Sequence, residues 1–389
     1  MVKILSVFGT RPEAIKMAPV IMELERNPGD FQSLVCVTGQ HRQMLAQVLD
    51  LFDIRPDFNL DVMSSGQDLF DVSGKVLQGL KTVLAQVQPD IVLVHGDTAT
   101  TMAAAIACCF SRIGIGHVEA GLRTYQKYQP FPEEICRRVT GAVADLHFAP
   151  TSVARANLLG EGIDGGTIFV TGNTIVDALQ SITKRIAGDR ALQEQLEEQF
   201  SFLDPTRKLI IATCHRRENF GEGIENICRA LAEIATSDAD VEILYPVHPN
   251  PNVREPVHRL LGGGSYPNIH LVAPVEYLPF VYLINRSRLI ITDSGGLQEE
   301  APSLGKHVLV IRDVTERPEA VVAGNVRMVG TDCGKVVAAG RDLLRNSSSQ
   351  GDSGCCRDLY GDGKAACRIA AVLRRHGNGL SRANRESAG

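Results

Sequence analysis

The sequence predicts an α/β protein of two doubly wound domains facing a cleft. Short apolar, β-branched runs alternate with longer helical patterns, the order of a parallel sheet with crossover helices. The alternation occurs twice, in halves of similar size separated by a charged helical stretch. The chain has 389 residues, and at about 100–200 residues per domain that length favours two Rossmann-like units over one.

In the first half, residues 4–8, 34–37, 91–94, 115–118, 146–149 and 168–171 read as strands. Helical patterns fall between them at 43–52, 70–86 and 101–112. Residues 175–202 form a strongly helical connector that ends at Asp204 and Pro205. The second half repeats the pattern with strands at 209–213, 241–247, 269–272, 289–292, 308–311 and 326–329. A Ser/Gly-rich stretch at 346–354 predicts a mobile segment. Residues 364–376 read as a last helix, and 377–389 as a frayed polar tail. The expected division is 1–174, a connector at 175–204, and 205–363.

Composition narrows the partners. Lys plus Arg number 40 against 45 Asp plus Glu, a net charge of -5. A nucleic-acid binder usually shows a basic excess, so that class is disfavoured. No apolar run approaches the roughly 18–20 residues of a membrane span. The opening MVKILSVFG reads as a strand rather than a signal peptide. Ten cysteines are scattered, with adjacent pairs at Cys108–Cys109 and Cys355–Cys356 and no C-x-x-C. That spacing suits neither a disulfide framework nor a tetrahedral zinc site, and predicts reduced thiols, a cytoplasmic location and no metal.

In open α/β sheets ligands bind beyond the carboxyl ends of the strands, so the strand-to-helix loops hold the informative residues. The one literal G-x-G-x-x-G, at Gly160, Gly162 and Gly165, follows a helix and precedes a strand. This reverses the dinucleotide fingerprint, and it reads as a turn. Two loops have the right order. Strand 4–8 enters Gly9-Thr10-Arg11-Pro12-Glu13 and a helix bearing Lys16. It reads equally as an anion site or as a tight turn with two solvated cations. Strand 289–292 enters Asp293-Ser294-Gly295-Gly296, whose small residues suit a phosphate cradle or a Ser-capped helix with a glycine hinge. A diphosphate spanning two facing domains would use both loops.

Acidic groups recur at strand ends. Asp97 follows His95-Gly96, Glu119 follows His117-Val118, and Glu133 with Glu134 follows Pro130-Phe131-Pro132. Asp97 as an N-cap and Glu133 as a helix-dipole partner are the plainer readings. Glu134 is left outside the site. In the second half, Cys214-His215-Arg216-Arg217 combines a proton shuttle with phosphate-binding cations, or is a solvated basic turn. Arg317, in the loop after strand 308–311, could close on a phosphate or sugar. No Ser-His-Asp order, H-E-x-x-H or Walker loop appears.

The motifs FGTRPEAIKMAP, VHGDTATT, GHVEAGLRT, PFPEE, CHRREN, YPVHPNP, EYLPF, TDSGGLQEEAPSLGK and RDVTERPEA occur in this order. Together they closely resemble the bacterial non-hydrolysing UDP-N-acetylglucosamine 2-epimerases, over about residues 2–330 and Tyr360-Gly361-Asp362-Gly363. The resemblance implies a two-domain fold of the B-type glycosyltransferase kind (GT-B). A C-terminal helix at about 364–389 would complete the first domain. It implies reversible conversion of UDP-N-acetylglucosamine to UDP-N-acetylmannosamine in a homodimer, with neither cofactor nor metal. The route would eliminate and re-add UDP through a 2-acetamidoglucal, and the product would supply cell-surface polysaccharide.

Carried over by motif, Asp97, Glu119, Glu133 and His215 are the acid–base and electrostatic candidates. Arg11, Lys16, Val275, Phe280, Ser294, Gly295, Gly296, Glu300 and Arg317 match substrate-binding positions. Among these, Phe280 would be the uracil platform, Glu300 would meet the ribose, and Val275 would act through its backbone. Gln40, Gln43, Arg216 and His248 match positions that hold a second UDP-N-acetylglucosamine as activator. Gly66 stands where activator-binding members carry an Arg, and Cys214 replaces a common Ala. The rival readings are a B-type glycosyltransferase, a UDP-sugar hydrolase, an epimerase for another UDP-sugar, and a catalytically silent sensor. A sensor would be expected to lose at least one of the four acid–base candidates, and all four are present.

Overall fold

A computed structural model describes residues 1–39, 42–64, 66–346 and 358–386. The chain divides into two compact units, Met1–Ala178 with Tyr360–Gly389, and Leu179–Leu359. The Ser/Gly-rich stretch predicted at 346–354 lies outside the described residues from 347 onward.

Unit one holds strands β1 (Val2–Phe8), β2 (Phe31–Val37), β3 (Phe58–Asn59), β4 (Ile91–His95), β5 (Gly114–Val118), β6 (Leu146–Ala149) and β7 (Ile168–Val170). They lie in the order β3-β2-β1-β4-β5-β6-β7, and every pairing is parallel. Parallel sheets are covered on both faces, and β4 and β5 are accordingly buried along their whole length. The strand order reverses between β1 and β4, the place where doubly wound sheets open a binding crevice. The two-residue β3 has no alternating pattern of its own; only its pairing with Cys36 and Val37 makes it a strand.

Unit two repeats the design with β8 (Lys208–Thr213), β9 (Val241–Pro246), β10 (Ile269–Val272), β11 (Leu289–Thr292), β12 (His307–Val310) and β13 (Val326–Met328). Their order is β10-β9-β8-β11-β12-β13, so the reversal falls between β8 and β11. All these pairings are parallel as well. Ile210, Ile243, Ile291 and Leu309 from four neighbouring strands share one core with the helix Glu222–Ser237.

The helical stretch after β7 consists of two helices, Thr174–Gly188 and Arg190–Gln199, because Asp189 takes an extended backbone and caps the second through the Leu192 amide. One reading of the sequence is corrected. The predicted frayed tail is helical to Glu386, within a last helix Ala365–Glu386. Gly377 does not stop that helix. A Cβ there would lie 2.6 Å from Val2, so the glycine lets the helix cross β1 closely. The returning chain is fixed to the end of β7, where the Asn173 amide donates to the Tyr360 carbonyl at 2.6 Å.

Candidate active site

In unit one the loop after β1 is knitted by Glu13. Its carboxylate accepts the Gly9 and Thr10 amides at 3.0 and 2.7 Å and the Thr98 and Thr101 hydroxyls at 2.6 and 3.0 Å. This capping box starts the helix Arg11–Glu25 and ties the β1 loop to the β4 loop. Burial pushes the Glu13 pKa up, partly offset by these hydrogen bonds. Gly9 is required by space, since a Cβ would fall 2.0 Å from the Thr38 hydroxyl.

Glu119 is the centre of this cluster. It follows β5 at a φ of +64°, a left-handed conformation that costs a non-glycine residue energy and recurs at active sites. Its carboxylate is buried, accepts from Lys16 Nζ, and takes a 2.7 Å hydrogen bond from Asn173 Nδ2. His95 Nε2 lies 3.9 Å from the same oxygen. Thus Lys16, the cation expected beside an anion loop, is turned onto a carboxylate.

Asp97 sits on the β4 loop, where Arg137 Nε donates to its Oδ2 at 2.9 Å. Arg137 is buried and also donates to Glu134 at 2.8 Å. Glu134 in turn accepts the Thr124 and Tyr125 amides at 3.1 Å each. Glu134 is therefore a structural carboxylate, whereas its neighbour Glu133 opens the helix Glu133–Val143. Both Asp97 and Glu133 bear electrostatically on Cys136, whose thiol is pushed up to about 12 chiefly by burial. Arg11 is half-buried at the start of its helix.

In unit two the centre is Asp293, which the sequence displays only as the first residue of a glycine loop. Its Oδ2 accepts the His215 and Arg216 amides at 2.9 and 2.8 Å and Asn219 Nδ2 at 3.0 Å. His215 Nδ1 lies 3.1 Å from the other oxygen, Oδ1. Burial alone would raise this carboxyl, but the His215 ring and the two amides outweigh it and hold its pKa well below the usual range. The His215 and His248 rings stack at 5.8 Å. Burial, then the His215 ring, pushes the His248 pKa down.

The glycine loop lies under Arg317, for a Gly295 Cβ would meet its guanidinium at 2.8 Å. Arg317 is buried and donates to Glu299 at 2.7 Å and to Glu316. Ser294 does not cap the following helix Leu297–Ser303, whose N-cap is Gly296. Its amide instead donates to the Thr292 hydroxyl at 2.9 Å. Glu300 is buried on that helix, with Oε2 3.7 Å from where a Gly296 Cβ would stand. Phe280 is half-buried on the helix Tyr277–Arg286, and Val275 just precedes it.

The structure thus gathers Lys16 and Glu119 tightly, with Asp97 on the adjoining β4 loop and Glu133 at the start of its helix. In unit two it gathers His215 and His248, with Arg216 beside His215 in the chain, and Gly295 with Arg317 and Gly296 with Glu300. Gln40 lies outside the described residues, and Gln43 falls on the helix Arg42–Leu51. Asn173, Arg137, Asp293 and Asn219 were not singled out from the sequence. An acid, an amide or a cation at a loop end carries no signal until its partner is known. Among the described residues, no group of three or more His, Cys, Asp or Glu side chains could hold a metal. No helix there is long and apolar enough to cross a membrane.

The fold defines a doubly wound α/β protein with carboxylates and a histidine in the loops beyond its strand ends. A family model described as UDP-N-acetylglucosamine 2-epimerase matches residues 22–374. The UDP-N-acetylglucosamine 2-epimerase of Escherichia coli K12 is 53% identical over 372 residues, 96% of this chain and 98% of that protein. The Neisseria meningitidis UDP-GlcNAc 2-epimerase, solved bound to UDP-GlcNAc, superposes with a TM-score of 0.92 at 47% identity, over 96% of this chain and all of that one. The Methanocaldococcus jannaschii enzyme, solved with UDP-GlcNAc and UDP, gives 0.83 at 33% identity over 95% and 99%. The chain belongs to the UDP-N-acetylglucosamine 2-epimerase family, a family of isomerases with the GT-B type of fold.

Proposed function

We propose that the chain interconverts UDP-N-acetylglucosamine and UDP-N-acetylmannosamine without hydrolysis, by elimination and re-addition of UDP. The sugar C2–H is not next to a carbonyl, so simple deprotonation and reprotonation is not open to it. A base takes the C2 proton while the C1–O bond to UDP breaks, leaving a C1=C2 double bond in a 2-acetamidoglucal. A proton then arrives at C2 from the other face and UDP re-forms the bond at C1. Such chemistry needs paired acid–base groups and stabilisation of the departing diphosphate.

The observation that carries this reading is the Glu119 cluster: a buried carboxylate in strained backbone, held by Lys16 and Asn173 at the end of β5. Asp97, Glu119, Glu133 and His215 do the proton work. Arg11 and Lys16 supply positive charge for the substrate, and Ser294, Gly295, Gly296 and Arg317 receive the diphosphate. Glu300 binds the ribose, and Phe280 and the Val275 backbone bind the uracil end. Arg216, His248, Gln40 and Gln43 serve a second UDP-N-acetylglucosamine as activator. The working form is a cytoplasmic homodimer that supplies N-acetylmannosamine for surface polysaccharide.

The test is incubation with UDP-N-acetylglucosamine in D2O, followed by NMR. The manno product carrying deuterium at C2 is expected, and lost in Glu119→Gln and His215→Ala. Free N-acetylmannosamine and UDP as main products would make the enzyme a hydrolase instead. A lag from the manno sugar that UDP-N-acetylglucosamine abolishes is the mark of the activator site.

A further inference from the structure

We propose that Asp293 is a positioning residue for His215, holding its imidazole as the Nδ1–H tautomer so that Nε2 is the nitrogen that exchanges the proton. The proposal rests on the reading of His215 as one of the acid–base groups.

The two oxygens of Asp293 do different things. Both backbone amides that reach Asp293, those of His215 and Arg216, end on Oδ2, and Asn219 Nδ2 and Cys214 Sγ donate to it as well. Those four donors are sufficient to staple the 214–219 turn. Oδ1 is not needed for it. Yet Oδ1 is buried and no hydrogen bond ends on it among the described residues, while His215 Nδ1 stands 3.1 Å away at ion-pair distance, the group placed to supply a proton to it. A buried carboxylate oxygen without a donor is costly. A proton on Nδ1 relieves that cost, and a proton on Nε2 alone would set a lone pair against the carboxylate.

The His215 side chain is 41% exposed and that of Asp293 is not exposed at all. The carboxylate is therefore the fixed partner and the ring the adjustable one. His248 flanks the ring, with centroids 5.8 Å apart and an interplanar angle of 26°. One buried acid thereby sets both the backbone and the ring of the same histidine. This is the orienting role of the third member of a catalytic triad, assembled from the β8 and β11 loops.

The test starts on the unaltered enzyme with 15N-labelled histidine, at alkaline pH where imidazoles are neutral. His215, identified by the signal lost in His215→Ala, is expected to show a protonated Nδ1 and an unprotonated Nε2. Asp293→Asn keeps an acceptor for the turn but presents an amide N–H to Nδ1, and is expected to reverse the tautomer. Its kcat should fall on the order of 10²–10⁴-fold, with KM changed less than about threefold because no substrate contact is lost. An Nε2–H tautomer in the unaltered enzyme, or a folded Asp293→Asn with kcat within twofold, overturns the proposal. Full activity in His215→Ala would instead overturn the reading of His215, whereas the tautomer reports the Asp293 contact independently of it.

Discussion

Glu119 and Lys16 stand 103 positions apart and form a buried ion pair. Taking two charges out of water is expensive, so such a pair is poorly explained by stability and well explained by placement of charge. Removing one partner strands the other. Lys16→Met is expected to lower unfolding free energy by about 3–5 kcal/mol, read from urea denaturation, and to abolish most epimerase activity. Adding Glu119→Gln to it should restore much of the stability and none of the activity, since the stranded charge is gone but the site is too. An additive loss in the double variant would show that the two side chains do not act on each other. Both residues were visible in their motifs. Their pairing was not, because nothing local relates the second turn of one helix to the end of a strand seven elements later.

The last helix shows the same limit one level up. Its first turn is held by Asp177, whose carboxylate accepts the Ala365 and Ala366 amides at 3.2 and 2.9 Å. These are amides that a helix start leaves without intrahelical partners, and an acid 188 positions earlier supplies the cap. Asp177→Ala is expected to cost about 1–2 kcal/mol, as the loss of a cap does. Amide exchange should speed up selectively in the helix Ala365–Glu386; uniform acceleration through unit one would argue against a local cap. Periodicity located this helix but ended it at 376, since glycine and polar residues read as a stop. The contact with Val2 that makes glycine the fitting residue at 377 belongs to the packed molecule.

At the scale of the whole molecule, the sheet of unit one buries histidines on neighbouring strands. His117 pairs across the sheet with His147, and its Nε2–H donates to the Gly96 carbonyl at 2.8 Å. Burial pushes the His117 pKa down to about 3 and that of His147 down to about 4, from an ordinary 6.5. The unfolded chain thus takes up protons below 6.5 that the folded chain refuses, and stability rises with pH across that window. Acidification from pH 7 towards 4 should lower stability by up to about 1.4 kcal/mol per pH unit for each histidine. Urea midpoints at pH 7, 6 and 5 measure the slope, which should be shallower in His117→Asn. An unchanged slope in that variant would locate the acid sensitivity elsewhere.

Alternating strand and helix patterns, written twice, determined the class of fold, and loop position singled out Asp97, Glu119, Glu133 and His215. These are short-range signals, legible wherever a pattern repeats or a motif stays contiguous. The tertiary structure decided which charges meet. It turned Lys16 onto Glu119, gave Asp97 to Arg137, assigned Glu134 to the backbone of a turn, and set Asp293 beneath His215. The long-range pairings depend on strand order, which sets β1, β4 and β5 side by side and β8 beside β11. A buried polar group must find a partner within about 3 Å, and only the folded sheet determines which one lies there.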